Sequence, residues 1–149
     1  MMRVVILGAG YAGVAVARRL GKALGVSGAA HITLVNAHPH HVFVTELHKV
    51  AAGTARPEDV SIPVHRAVPE GVHVEIDVVT DIDPKKRLVM LESGRTLAYD
   101  RLVVALGSSP EFYNIPGLAE FSLGLSSLPT AVVINERIRD AVCMAEQAG

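Results

Sequence analysis

The feature that most constrains this chain is Val4-Val5-Ile6-Leu7 running straight into Gly8-Ala9-Gly10-Tyr11-Ala12-Gly13 and then into Val14-Ala15-Val16-Ala17-Arg18-Arg19-Leu20. An aliphatic run bounded by glycine reads as a buried strand. The segment beyond the glycines has a helical pattern, so the chain turns tightly from strand into helix at a G-x-G-x-x-G. Gly8 permits the turn, Gly10 lets a pyrophosphate approach the main chain, and Gly13 lets the helix pack closely on the strand. Phosphates there would meet unpaired N–H groups and the positive end of the helix dipole. A secretory signal is the rival reading, with Arg3 before the apolar run and Ala15-Val16-Ala17 at its end; three glycines within the run and the twin arginines after it argue against cleavage.

His31-Ile32-Thr33-Leu34-Val35-Asn36 is a second strand, rich in β-branched residues and ending 23 positions after Gly13. That spacing brings the end of the strand beside an adenosine ribose, where an Asp or Glu ordinarily accepts from both hydroxyls. Asn36 departs from the pattern. Its amide accepts one ribose hydrogen bond, carries no charge and repels a 2′-phosphate less, so position 36 leaves FAD, NAD and NADP open.

A chain of 149 residues, 50% apolar and 4% aromatic, is long enough for one domain with an aliphatic α/β core. A net charge of −1 supplies no basic field and argues against nucleic acid as a partner. The longest apolar run, Val4 to Ala17, is shorter than a bilayer span and holds three glycines, so no transmembrane segment is expected. A single cysteine, Cys143, allows no internal disulfide and fits a reducing compartment, with helix-face filler as its role. His38, His40 and His41 surround Pro39 without a carboxylate or cysteine at ligand spacing. They read as a polar loop, and no metal site is expected.

Further along, the first helix should fade between Gly21 and Gly28. Thr45 to Gly53 reads as a short helix stopped by glycine, and Val64 to Val68 as a helical turn behind Pro63. Val72 to Val79 forms the third strand, continuing through Thr80 to Asp83, with Pro84-Lys85-Lys86 as a turn. Arg87 to Glu92 and Arg95 to Ala98 pair as an antiparallel hairpin around Ser93-Gly94. Leu102 to Leu106 is wholly apolar, the pattern of a central parallel strand. A long connection over 111–127 follows, and Pro129 opens a last helix with Ile134, Ile138, Ala141, Val142 and Ala145 on one face. The expected fold is therefore α/β, with parallel strands ordered third, second, first, last and the hairpin off the main sheet.

Val4 to Val14, Leu34-Val35-Asn36, Thr45-Glu46-Leu47-His48, Ala51-Ala52-Gly53-Thr54 and Val79 to Pro84 together carry a resemblance. The most specific block is Tyr99-Asp100-Arg101-Leu102-Val103-Val104-Ala105-Leu106-Gly107-Ser108-Ser109-Pro110, followed by Ile115-Pro116-Gly117-Leu118. The chain resembles the FAD-dependent pyridine nucleotide-disulfide oxidoreductase superfamily, and within it the N-terminal part of the type II NADH:quinone dehydrogenases. The resemblance implies a Rossmann-like FAD-binding domain with a parallel sheet and an antiparallel hairpin insert. Residues 1–110 would be the N-terminal part of that domain, and residues 111–149 a connection and helix leading toward an NADH-binding domain.

Position by position, the resemblance puts Gly8, Gly10, Tyr11, Ala12 and Gly13 at the FAD pyrophosphate and Asn36 and Ala37 at the adenosine ribose. It puts Val79 at the adenine through its main chain, Thr45 near the isoalloxazine, and Ala105, Leu106 and Gly107 beside the cofactor. The usual signature has Thr where Leu106 stands, so a contact there would come from the main chain. FAD is the implied cofactor, NADH the implied substrate and a quinone the implied acceptor, with hydride passing to the flavin and two electrons onward. No residue is assigned as catalytic, since the flavin carries the chemistry. The implied location is cytoplasmic, peripheral at the inner membrane face. The chain is expected to be a fragment that binds FAD weakly or not at all, lacks activity alone, and self-associates. The alternatives are an NAD(P)-binding regulatory module, a disulfide reductase or a sulfide:quinone reductase. The hairpin argues against the first, because a simple nicotinamide domain has a helical crossover there.

Overall fold

The opening aliphatic run forms a strand buried on both faces, β1 (Met2–Leu7). The computed structural model describes residues 1–25 and 27–148; Val26, in the segment where the first helix should fade, and Gly149 lie outside the described residues. After β1 come α1 (Tyr11–Leu20), a π-helical turn over Gly21–Gly25, β2 (Ala30–Asn36), β3 (His40–Val42), α2 (Leu47–Ala51), β4 (Ser61–Pro63) and α3 (Val64–Ala67). Then follow β5 (Val72–Ile76), β6 (Val79–Asp83), β7 (Leu88–Leu91), β8 (Thr96–Ala98), β9 (Arg101–Val104), α4 (Leu118–Phe121) and α5 (Leu128–Ala148). The chain makes two units: one of Met1–His41 with Ile62–Gly107, the other of Val42–Ser61 with the residues from Ser108 onward.

The first unit is layered about a parallel sheet in the order β5-β2-β1-β9, the arrangement expected from the sequence. Successive side chains of a strand point to opposite faces, and β1 divides accordingly. Val4 and Ile6 pack with Ile32 and Leu34 against Val14 and Ala17 of α1 and Val64 and Ala67 of α3. Val5 and Leu7 pack with Val35 against Val89, Leu91 and Tyr99 on the other side. That second layer is the antiparallel sheet β6-β7-β8, whose β7–β8 turn holds Gly94 at φ 84°.

Two expectations need correction. The third strand does not run on through Asp83. Asp77 donates its N–H to the Asn36 carbonyl at 3.0 Å, while its carboxylate accepts from Val78 N–H at 2.8 Å. A hydrogen bond from Ser93 is the main reason that carboxyl is held below the ordinary range. The Asp77 N–H is thus the last rung of the β2–β5 ladder; beyond it Val78 N–H turns to the Asp77 carboxylate, and β6 pairs with β7. Nor is the apolar strand before Gly107 central, as its pattern alone suggests: β9 stands at the edge of its sheet, where the expected strand order sets it, with β1 as its neighbour and Val104 61% exposed.

The register of β9 on β1 is set by one ion pair. Arg3 donates from its main-chain N–H (2.7 Å) and from Nε (3.3 Å) to one Asp100 oxygen, and from Nη2 (3.0 Å) to the other; Asp100 N–H donates back to the Arg3 carbonyl at 2.8 Å. Val4 then stands opposite Arg101 and Leu7 opposite Val104.

In the second unit, α2 and α5 pack through Leu47, Val50, Ala51, Val60 and Ala131. Asn135 Nδ2 donates to the Ala51 carbonyl at 3.1 Å, satisfying an acceptor at the end of α2. Ser127 and Thr130 cap the start of α5 reciprocally, each main-chain N–H donating to the other's hydroxyl at 3.2 and 3.3 Å. Of the apolar face expected on the last helix, Ile134 joins this core, while Ile138 and Val142 are exposed.

Two measurements check this account. A Cβ on Gly13 would stand 1.8 Å from the Gly8 carbonyl oxygen, so Gly13→Ala should destabilise the fold by about 3 kcal/mol or more in urea unfolding. Arg3 holds the Asp100 carboxyl down at about 2, first through the side-chain hydrogen bond and then the main-chain one. Because this value is depressed, the stabilisation is present above the ordinary carboxylate value of about 3.9 and is lost as pH falls toward 2. Urea midpoints taken between pH 5 and 2 should therefore fall more steeply in the wild type than in Asp100→Asn.

Candidate dinucleotide-binding site

From β1 the chain crosses to β2 on one side and returns through β9 on the other, so the carboxyl ends of β1 and β9 flank a topological switch point, where open α/β sheets bind ligands. Gly8 stands there at φ 95°. Its N–H donates to the Val35 carbonyl and the Ala105 N–H donates to the Leu7 carbonyl, both at 2.8 Å, which ties the ends of three strands together. A Cβ on Gly8 would lie 2.3 Å from the Ala105 carbonyl oxygen, so the left-handed turn and the close approach both require glycine.

Gly10 differs from its two partners. It starts α1 in extended conformation (φ −72°, ψ −172°), and a Cβ there would meet nothing within 4 Å. The first helical bond runs from Val14 N–H to the Gly10 carbonyl at 3.0 Å, so the N–H groups of Tyr11, Ala12 and Gly13 precede the ladder. Open space in front of a glycine-started helix is what an anionic diester group needs.

Asn36 reaches the turn from the end of β2. Its Oδ1 accepts the Ala9 N–H at 2.7 Å, and its Nδ2 donates to the His38 carbonyl at 2.7 Å. Both functions of the amide thus meet main chain, with one oxygen lone pair and one N–H left for a ribose. Ala37 follows it, exposed. Val79 begins β6 two residues beyond Asp77, which bonds the Asn36 carbonyl. Ala105 is half-buried, Leu106 is 58% exposed, and Gly107 is exposed at φ 84°. Gly8, Gly10, Tyr11, Ala12, Gly13, Asn36, Ala37, Val79 and Ala105 to Gly107 all belong to the first unit. Thr45 belongs to the second, on the turn Val44–Glu46, where its carbonyl accepts from His48 Nδ1 at 2.9 Å.

One residue at this turn escaped sequence reasoning. His41 is not part of a polar loop: it is buried, and its Nδ1 donates to the Ala9 carbonyl at 2.7 Å. The Tyr11 ring stands edge-on to it, with centroids 5.3 Å apart and planes at 86°. Three histidines around one proline gave no sign of which would turn inward. Among the described residues, no group of three His, Cys, Asp or Glu side chains is placed to hold a metal ion, and no helix is long and apolar enough to cross a membrane.

The family model described as pyridine nucleotide-disulphide oxidoreductase matches residues 2–143. The type II NADH:quinone oxidoreductase of Staphylococcus epidermidis is 36% identical over 139 residues, covering 93% of this chain and 34% of that protein. Among solved structures, the sulfide:quinone oxidoreductase of Aquifex aeolicus shares the fold with a TM-score of 0.83 and 24% identity, over 96% of this chain and 33% of that one. NDH2 of Plasmodium falciparum, solved in complex with NADH, gives a TM-score of 0.81 at 16% identity, over 97% of this chain and 30% of that one. The chain spans about a third of the length of the curated relatives it matches.

Proposed function

This chain belongs to the pyridine nucleotide-disulphide oxidoreductase family, and we propose that it is the N-terminal, FAD-binding part of a reductase that passes electrons from NADH through FAD to a quinone. Residues 1–110 are read as the beginning of the FAD domain and residues 111–149 as the connection toward an NADH-binding domain. The observation that carries the reading is the crossover from β5 to β9. It is built of the antiparallel strands β6, β7 and β8, where a simple nicotinamide-binding domain would place a helix. The relationship to the staphylococcal quinone oxidoreductase supports the choice of donor and acceptor.

The residues present fit the cofactor at its pyrophosphate, because the open space before Gly10 is what a side chain would fill. In this reading Gly8, Gly10, Tyr11, Ala12 and Gly13 hold the pyrophosphate, Asn36 and Ala37 face the adenosine ribose, and Val79 meets the adenine through its main chain. Thr45 lies near the isoalloxazine, and Ala105, Leu106 and Gly107 line the cofactor. When bound, FAD supplies the two-electron chemistry. This chain's own residues bind and orient: α1 offers N–H groups and a positive dipole end to the diphosphate, and no side chain is required to move a proton. The whole enzyme is read as peripheral at the cytoplasmic face of a membrane.

Titrating FAD against the chain should quench flavin fluorescence. Gly10→Val should weaken that binding by roughly a hundredfold, a loss of about 2.7 kcal/mol, while leaving the melting temperature within about 2 °C, since the added side chain enters open space. Equal affinity for wild type and variant overturns the reading.

A further inference from the structure

Ala9 is buried in the middle of the glycine turn, and buried main-chain groups require hydrogen-bond partners. No ladder supplies them. Instead the Ala9 N–H donates to Asn36 Oδ1 and the Ala9 carbonyl accepts from His41 Nδ1, both at 2.7 Å. We infer that Asn36 and His41 form a two-sided clamp on Ala9 and are positioning residues for the dinucleotide turn, fixing the direction in which Gly10 and the start of α1 present their N–H groups.

This inference rests on the FAD reading and deepens it. It also gives position 36 a chemical reason for being an amide. Oδ1 must accept from Ala9 while Nδ2 donates to the His38 carbonyl, also at 2.7 Å, and an amide offers an acceptor and a donor on two separate atoms of one short side chain. An aspartate would keep the first bond and set an acceptor against the His38 carbonyl. The carboxylate that ordinarily grips the ribose would thus oppose the geometry of this turn, so the clamp and the ribose contact make different demands on the same position. On the other side, a carbonyl acceptor at 2.7 Å requires the proton on Nδ1 and so fixes which nitrogen of His41 carries it. The Tyr11 ring edge-on to the imidazole holds the ring in place from the first residue of α1.

A test separates positioning from ribose binding. In the ligand-free wild type, the Ala9 amide should be protected from hydrogen exchange, and the ¹⁵N shifts of His41 should show a protonated Nδ1. Asn36→Leu and His41→Phe should each speed Ala9 exchange and weaken ADP binding by roughly tenfold or more. 2′,3′-Dideoxy-ADP, which lacks the ribose hydroxyls, should also lose affinity in both variants, and in His41→Phe by the same factor as ADP. Asn36→Asp should weaken the dideoxy analogue, by a smaller factor than Asn36→Leu does. His41→Asn, which keeps a donor at similar reach, should recover most of the His41→Phe loss.

Three outcomes overturn the clamp: fast Ala9 exchange in the wild type, a neutral His41 ring protonated at Nε2, or an Asn36→Leu defect confined to ADP and absent with the dideoxy analogue. The first two are read on unmutated protein, so a variant that fails to fold does not shelter the proposal. If wild type and Gly10→Val bind FAD and ADP equally while Ala9 is protected and Nδ1 protonated, the cofactor reading falls and the clamp stands.

Discussion

Main-chain crowding at the turn after β1 is the constraint on which the rest of the structure depends. The Gly8 carbonyl lies 1.8 Å from where a Cβ of Gly13 would stand, and the Ala105 carbonyl lies 2.3 Å from where a Cβ of Gly8 would. Contacts this short fix α1 against β1 and bring the end of β9 to the same point. The third glycine then has the opposite character, with space in front of it. The motif thus divides into two positions that close the fold and one that leaves it open, and the candidate site is what remains when the other two have been packed.

The buried apolar side chains act on the same point at longer range. Val4 and Ile6 belong to the helical side of the sheet, and Val5 and Leu7 to the antiparallel side. Each residue of this stretch therefore contributes on the order of 1.5–3 kcal/mol of burial, alternating between the two interfaces. A strand packed on both faces holds fixed the end from which the left-handed turn at Gly8 departs. Asp100 serves the same purpose. Within the Tyr99-Asp100-Arg101 block its carboxylate is committed to Arg3, which sets the register that delivers Ala105 to Gly8.

Much of this was legible in the sequence because it follows from short-range chemistry. The glycine spacing, the aliphatic runs and the Ser93-Gly94 turn each specify a local shape, and strand order follows from the crossovers such shapes permit. What stayed hidden depends on bonds between distant residues. The apolar pattern continues smoothly past Asp77, yet the ladder stops there because β2 ends opposite it at Asn36 and the next N–H, of Val78, turns to the Asp77 carboxylate. Uninterrupted apolarity in Leu102 to Leu106 speaks to the faces of a strand and is silent about its edges, so the pattern alone reads as central a strand that the expected order already sets at the edge. Asn36 was read for its missing charge, whereas its donor is equally in use. Nothing in the order His38, Pro39, His40, His41 distinguishes the one histidine that turns inward to Ala9.

The pairing of β1 with β9 joins residues 97 positions apart, whereas β6, β7 and β8 are contiguous. During synthesis at about 5–20 residues per second, the antiparallel layer completes itself within seconds of emerging, while β1 waits roughly 5–20 s for its second neighbour. Through that interval one side of the first strand is an open edge, the kind of surface that recruits chaperones or misdirected partners. The glycine turn gains its neighbour at Ala105 only when that late strand docks. A nascent chain therefore completes the glycine turn only after roughly a hundred residues have been made, although the turn was among the first of them.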